Sequence, residues 1–209
     1  VLVAGAVFAG GWHLASPVPA FGGLSGLAAR GDGALLAVTD RGAFVTITRR
    51  DGAPVAARLA PMVLAAAGGK DDRDAEGLAL YNGLALVSFE HRHRILAFDL
   101  DGCGAAAQGE TVAAFGDAVR GLSRPLAANG GAEGLALAPG GELILALETE
   151  DGGLPLIKTL EVQTEGGVCA KVALAASIKA EATEVKLRKT KYWNKLFSRS
   201  SRFDEAGYP

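Results

Sequence analysis

Three segments of the chain repeat one pattern of hydrophobic and polar positions. Each begins with a small or acidic residue followed by Gly-Leu, continues through a turn rich in Gly, Asn, Asp or Pro, and ends with an apolar run that closes on an acid. The three segments span residues 21–47, 74–100 and 130–153. The Gly-Leu motif is preceded by Ser25 in the first segment, Glu76 in the second and Glu133 in the third. The acid that ends each apolar run, called the closing acid, follows the motif glycine by 14, 13 and 14 residues and is Asp40, Glu90 and Glu148 respectively.

This pattern predicts an antiparallel hairpin in each repeat. Apolar residues alternate or run continuously and a glycine lies inside every unit, which favours strands over helices. In the second repeat a third strand is predicted over Arg94–Leu100, followed by a turn at Asp101-Gly102. A hairpin of this size buries only one face and is not stable alone in water, so the units must pack on one another.

Repeats of about 50 residues that each form a small antiparallel sheet are typical of β-propeller blades. The predicted fold is therefore all-β, a partial propeller with three to four recognisable blades; a sandwich with coincidental spacing is the alternative. A ring with too few blades exposes sheet edges and blade faces. This predicts either that the sequence belongs to a longer propeller or that the chain associates with itself. No run of residues reaches the length of a membrane-spanning helix.

Composition adds two points. Glycine accounts for 29 of 209 residues, in keeping with many tight turns, and the formal net charge of −2 excludes a basic nucleic-acid-binding domain. Residues 179–209 carry eight Lys/Arg against four acids. This tail is predicted to be a solvated helix or a disordered extension, with binding to RNA or to an acidic membrane surface as the alternative. The chain is thus divided into blades over residues 1–160 and a divergent segment with a basic tail over residues 161–209.

The start of the chain and its two cysteines leave alternatives open. Residues 1–9 fit either the remnant of a signal peptide or, as we favour, part of a first strand over residues 7–16. Cys103 and Cys169 have no zinc-ligand spacing. Two unpaired thiols are favoured over a disulfide.

The motif acids Glu76 and Glu133 begin successive inner strands, so we expect both side chains near the mouth of a central channel. Converging carboxylates repel one another unless a cation or a basic group lies between them. Oxygen ligands suit Ca²⁺ or Mg²⁺, and Asp40 and the amide of Asn129 would complete such a site. The alternative is that each Glu caps a turn by accepting backbone N–H bonds. Ser25 in the first motif argues against a symmetric metal ring.

Basic side chains follow two of the closing acids. Arg41 and Arg92 would hold a phosphate or carboxylate group, and His91 would carry a proton. Alternation along a strand predicts His91 and His93 on one side and their neighbouring arginines on the other. The alternative is a polar edge with no site. Residues 71–74 are predicted to form a solvated acidic loop.

Several familiar catalytic motifs are absent from the sequence. It contains no GxSxG nucleophile elbow, no GxxxxGK[ST] phosphate loop and no HExxH. Ser25 lacks the elbow spacing and is assigned to a turn or to the channel rather than to a nucleophile.

Together the three repeats resemble the phytase-like family, whose members carry the description "esterase-like activity of phytase". The resemblance rests on FGGLSGLA…LLAVTDRG, DAEGLAL…LVSFEHRHRILAFD and NGGAEGLALAPGGELILALE, and it covers roughly residues 8–157. The resemblance implies a six-bladed β-propeller in a bacterial protein. It also implies a location in the periplasm or otherwise outside the cytoplasm. The implied activity is hydrolysis of a phosphate or carboxylic ester, with or without calcium. The matching polar positions are Asp40, Arg41, Asp74, Glu76, Glu90, Asn129, Glu133 and Glu148.

These observations predict a calcium-assisted phosphoesterase or esterase that acts on a small anionic or ester substrate. A non-catalytic propeller that binds a ligand or a protein, and a truncated remnant, are the alternatives, because channel acids serve a hydrolase and a binding module alike. The predicted catalytic residues are Glu76, Glu133, Arg41, Arg92 and His91, and the predicted metal ligands are Glu76, Glu133, Asp40 and Asn129.

Overall fold

The computed structural model describes residues 10–65, 68–114, 126–128, 130–139, 141–151, 154–161 and 183–185. Within these ranges the chain is mostly strand with one short helix, which confirms the all-β prediction. The strands form three antiparallel sheets, none of which closes into a barrel, and the propeller ring itself stays a prediction. No helix in these ranges is long and apolar enough to cross a membrane.

The first repeat forms a five-stranded sheet, called sheet 1, in the order β1-β2-β3-β4-β12. The predicted hairpin is confirmed, since β1 and β2 pair antiparallel across a short turn. The fifth strand comes from the predicted tail segment and pairs with the outer edge of β4. The strands are β1 (Leu24–Ala29), β2 (Leu35–Thr39), β3 (Ala43–Arg50), β4 (Ala53–Pro61) and β12 (Thr183–Val185).

The second repeat forms a four-stranded meander, called sheet 2, in the order β5-β6-β7-β8. Both the hairpin and the predicted third strand are present. The predicted turn after the third strand is a one-turn helix, α1 (Leu100–Cys103), whose Gly102 N donates to the Asp99 carboxylate at 2.8 Å. The strands are β5 (Ala75–Tyr81), β6 (Leu84–Phe89), β7 (Arg94–Asp99) and β8 (Glu110–Ala114).

The third repeat forms a three-stranded sheet, called sheet 3, in the order β11-β10-β9. Its strands are β9 (Ala132–Leu137), β10 (Glu142–Asp151) and β11 (Leu154–Glu161). The predicted hairpin is again present, with β9 and β10 antiparallel. The first strand of each repeat therefore occupies the same place at one edge of its sheet.

The three sheets pack face to face through apolar side chains. One core lies between sheets 1 and 2, where Phe44 and Phe98 meet edge to face with ring centroids 5.1 Å apart. A second core lies between sheets 2 and 3 and includes Leu86 and Leu145. The outer face of sheet 1 forms a third core, which the N-terminal segment covers in part through Leu14 and other residues.

The motif glycines allow the first strands of successive sheets to approach closely. A Cβ atom on Gly26 would lie 2.9 Å from Glu76 O and from Leu78 N, and a Cβ on Gly77 would lie 2.9 Å from Leu135 Cγ. A side chain at either position would therefore collide with the next sheet. This explains why Gly-Leu recurs where β1, β5 and β9 meet.

Two predictions about the ends and the cysteines are wrong. Residues 10–16, the described part of the predicted first strand, contain no strand, and only His13 makes a single bridge. Cys103 is disulfide-bonded rather than a free thiol. The other cysteine of the sequence, Cys169, and the tail beyond residue 185 lie outside the described residues.

Candidate functional site

A β-bulge occurs in all three sheets at the residue before the motif glycine. In the β1–β2 pair the register shifts by one residue between Leu24 and Gly26, and in the β5–β6 pair between Ala75 and Leu78. In the β9–β10 pair Ala146 and Leu147 lie opposite Gly134 and Ala132, so Glu133 is the extra residue. A bulge bends the strand and changes the direction of the side chain at the inserted residue. The positions that share this geometry are Ser25, Glu76 and Glu133.

The closing acid of each repeat is fixed next to its bulge by one backbone hydrogen bond. Asp40 N donates to Gly23 O at 2.9 Å, Glu90 N to Asp74 O at 3.0 Å, and Glu148 N to Gly131 O at 3.1 Å. Each bond joins the end of the second strand to the residue just before the first strand. The repeat therefore brings bulge residue and closing acid to the same end of every sheet.

This arrangement produces two groups of side chains that could bind a metal ion, and Glu90 belongs to both. Asp74, Glu90 and His91 each offer a ligand atom within 4.8 Å of the others, and so do Glu90, Glu133 and Glu148. His91 Nε2 lies 3.2 Å from Asp74 Oδ2 and 3.6 Å from Glu90 Oε2. We call these residues together with Glu76 the acidic cluster.

The carboxyl groups of the acidic cluster affect one another's ionisation. Burial raises the pKa of Glu76 to about 7, with repulsion from Glu133 as the next cause. Burial, followed by repulsion from Glu148, also raises the pKa of Glu133. Asp74 and Glu90 add repulsion at both residues, and Asp40 adds it at Glu76. Glu76 and Glu133 thus share one electrostatic site, as their positions in the repeat predict.

The donor set of the acidic cluster fits a bound cation. Glu90, Glu133 and Glu148 supply only oxygen, which suits Ca²⁺ or Mg²⁺, whereas His91 adds a nitrogen that favours a transition metal at the neighbouring group. Asp40 Oδ1 is buried without a hydrogen-bond donor, and its ion-pair contact, Arg41 Nε, lies 3.8 Å away. Several carboxylates with few basic neighbours are the arrangement that a cation stabilises.

The arginines predicted to hold substrate lie beside the acidic cluster rather than inside it. Arg41 is 60% exposed, and its Nη1 donates to Pro19 O at 2.8 Å. Arg92 Nε donates to Asp72 Oδ1 at 2.6 Å, and this bond raises the pKa of Arg92 and lowers that of Asp72. Arg92 is therefore held by a carboxylate, whereas Arg41 is held through Nη1 by a backbone carbonyl and stays largely exposed.

The prediction that His91 and His93 share one side is wrong, whereas Arg92 and Arg94 do share a side. Residues 90–93 form the turn between β6 and β7 instead of a strand, and His93 has a positive φ of 41°. His91 faces Asp74, whereas His93 is buried. Arg94 Nη2 donates to Asp72 O at 3.0 Å, on the same side as Arg92.

Sequence reasoning missed two residues near the site, Ser88 and Arg73, and the burial of a third, Asp74. Asp74 is buried, although its loop was predicted to be solvated. Ser88 is also fully buried, and its Oγ accepts from Gly77 N at 2.8 Å and donates to Ala132 O at 2.6 Å. The sequence signal that could have identified Ser88 is its place as the polar residue in the apolar run Leu84–Phe89. Arg73 lines a cleft of about 440 Å³ together with Arg41.

The other candidates have the following positions. Ser25 Oγ donates to Ala75 O, so this side chain links β1 to β5. Asn129 lies outside the described residues, and its predicted role as a ligand stays a prediction. A second cleft, of about 380 Å³, is lined by Arg30, Asp32, Tyr81 and Asp101, at the opposite end of the strands.

Comparison with known proteins gives one result. The family model described as "Phytase-like: Esterase-like activity of phytase" matches residues 19–183. The match continues beyond residue 157, where the resemblance read from the sequence ends. No curated protein matches the chain significantly.

Proposed function

The chain belongs to the phytase-like family, and on that premise we propose that it is a hydrolase of phosphate or carboxylic esters with the acidic cluster as its active site. The observation that carries the proposal is the convergence of acids from sheets 2 and 3 at one end of their first strands. Acids scattered over the surface would not raise one another's pKa in this way.

The residues that would hold a cation are Glu90, Glu133 and Glu148, because their oxygens lie within 4.8 Å of one another. When bound, Ca²⁺ would neutralise these carboxylates and polarise an ester oxygen. Without a cation, the cluster repels an anionic phosphate ester but not a neutral carboxylic ester. Asp40 and Glu76, which were predicted as ligands from the sequence, lie next to this group.

Glu76 and His91 are the groups that would move protons. A carboxyl group with a pKa of about 7 exchanges its proton near neutral pH, which suits a general acid or base. His91 is held by Asp74 at 3.2 Å, so its ring has a fixed orientation beside the cluster. Glu76 would protonate the leaving oxygen or take a proton from the attacking water.

Arg41 and Arg73 would bind the negative charge of a substrate. Both line the cleft of about 440 Å³ beside Asp40, and Arg41 is well exposed. Planar guanidinium groups bind phosphate and carboxylate through paired hydrogen bonds. Arg92 would contribute only after releasing Asp72.

We also propose that the protein acts outside the cytoplasm. The disulfide at Cys103 supports this location, because disulfides persist in oxidising compartments and are rare in the bacterial cytosol.

The test is hydrolysis of p-nitrophenyl phosphate and p-nitrophenyl acetate in the presence of calcium or of EDTA. Glu76→Gln should lower kcat at least about tenfold, since a positioned acid or base contributes about 10²–10⁴-fold. Glu133→Gln should lower the activity measured with calcium, because it removes one of the proposed cation ligands. Glu142→Gln is the matched control, because Glu142 is exposed at the opposite end of β10. Hydrolysis of neither ester by the folded wild-type protein would overturn the proposal and favour a binding module.

A further inference from the structure

The cleft of about 440 Å³ beside Asp40 combines an apolar floor with two basic side chains. Leu59 and Met62 line it although they are at most 8% exposed, so they form its floor. Arg41 and Arg73 line the same cleft, which we call the arginine cleft. A ligand bound there contacts hydrocarbon and positive charge together.

The two arginines come from segments next to different sheets and meet across a glycine. Arg41 lies in the turn between β2 and β3, directly after Asp40, and Arg73 lies before β5, directly before Asp74 of the acidic cluster. Gly42 has a φ of 72°, and a Cβ atom there would lie 2.9 Å from Arg73 Cβ. Glycine permits both this backbone conformation and so close an approach. The arginine cleft therefore lies directly beside the acidic cluster.

The positive charge of the arginine cleft is not neutralised by acids in its own lining. None of the described residues that line it is acidic, and the Asp40 Oδ1 atom beside it is 3.8 Å from Arg41 Nε. By contrast, the cleft at the opposite end of the strands contains Arg30 together with its ion-pair partners Asp32 and Asp101, at 3.4 and 3.5 Å. Of these two clefts, the arginine cleft is thus the one whose lining is complementary to an anion.

We propose that the substrate is an amphiphilic anion, an ester that carries a phosphate or carboxylate group next to a hydrocarbon chain or ring. This substrate class rests on the proposed function, since Arg41 and Arg73 are assigned there to substrate binding. The anionic group pairs with the two arginines, and the hydrocarbon part packs on Leu59 and Met62. A phosphorylated polyol fits less well, because its hydroxyl groups would lose water against apolar side chains without gaining hydrogen-bond partners.

The experiment is calorimetric titration of the 209-residue protein with three phosphonates in the presence of EDTA. A phosphonate holds carbon directly on phosphorus, so ester hydrolysis does not cleave it and binding is measured apart from catalysis. Each methylene group buried in an apolar site strengthens binding about fourfold. Butylphosphonate should therefore bind at least about tenfold more tightly than methylphosphonate. It should exceed dihydroxybutylphosphonate, a chain of the same length with two hydroxyl groups, by a similar factor.

Variants of the lining test the two halves of the cleft separately. Arg41→Gln and Arg73→Gln should each weaken butylphosphonate binding about tenfold, since each removes a charged hydrogen-bond donor. Arg50→Gln is the matched control and should bind like wild type, because Arg50 is exposed at the end of β3 away from the cleft. Met62→Gln should reduce the gain from methylphosphonate to butylphosphonate without changing the affinity for methylphosphonate. Thermal unfolding checks that this variant is folded, and the wild-type series does not depend on it.

Equal affinity of wild type for the three phosphonates, or no saturable binding of butylphosphonate, would overturn the proposal. So would wild-type affinity in both Arg41→Gln and Arg73→Gln. Binding that depends on chain length and on both arginines, in a protein that hydrolyses neither p-nitrophenyl ester, would support the ligand class assigned to the cleft and overturn the hydrolase. The two failures are therefore distinguishable.

Discussion

Replacing Glu76 by Gln tests whether the acidic cluster is under electrostatic repulsion. The pKa of Glu76 is raised from 4.5 to about 7. The folded state therefore binds this proton more tightly than the unfolded state does. Stability from the protonated carboxyl is fully present below pH 4.5 and is lost as pH rises towards 7, so the free energy of unfolding falls across this window.

The size of the effect follows from the pKa difference. A displacement from 4.5 to about 7 corresponds to about 3 kcal/mol at about 1.4 kcal/mol per pKa unit. Because Glu76 is only half-buried, solvent screening reduces this to about 1–2 kcal/mol. Glutamine keeps the shape of the side chain and cannot ionise, so the variant avoids the whole penalty above pH 7.

The assay is thermal unfolding of both proteins at pH 4 and at pH 8, with EDTA present. Glu76→Gln should unfold about 2–6 °C above wild type at pH 8 and together with it at pH 4. Glu142→Gln, in the same strand as Glu148 but at the other end, should show no such pH-dependent difference. A midpoint for Glu76→Gln at or below that of wild type at pH 8 would refute the reasoning.

Two further predictions concern the contacts between sheets. Gly26→Ala should destabilise the protein by about 1–3 kcal/mol in urea unfolding, because the added Cβ lies 2.9 Å from backbone atoms of β5. Gly134→Ala, where the nearest atom is a Cβ at 3.3 Å, should cost clearly less, and equal losses would contradict the assigned packing. Ser88→Ala should lower the free energy of unfolding by about 1–3 kcal/mol, because it leaves Gly77 N and Ala132 O without their hydrogen-bond partner. An unchanged urea midpoint for Ser88→Ala would contradict the stabilising role assigned to these bonds, of which the one to Ala132 O joins sheets 2 and 3.

The three hairpins were predictable because each is local. The alternation around Gly26, Gly77 and Gly134 fixes which strands pair, and a tight turn joins them. Each hairpin by itself needs no contact outside about thirty residues of sequence. The expectation that Glu76 and Glu133 converge rested on the equivalent place of their strands in successive repeats, which is a relation between repeats rather than a local one.

The features that escaped prediction depend on contacts between repeats. The β5–β6 pairing has a bulge at Glu76, and Asp74 is buried although its loop was expected to be solvated. His91 and His93 lie in a turn because the chain reverses at Glu90 to pair β7 with β6. Side chains around His91 would alternate between the two faces of the sheet only if β6 continued past Phe89, where it ends.

The disulfide at Cys103 escaped for a related reason. The spacing of cysteines in a sequence does not show whether they lie close enough in the fold to form a bond. The same holds for β12, whose pairing with β4 joins residues far apart in the chain.

The most direct test of the acidic cluster as a cation site is calorimetric titration of the metal-free protein with calcium chloride. The account predicts saturable binding to wild type and to Glu142→Gln, and loss of most of that binding in Glu90→Gln, since Glu90 belongs to both ligand groups. Equal binding by Glu90→Gln and wild type, or no saturable binding by the folded wild-type protein, would contradict it.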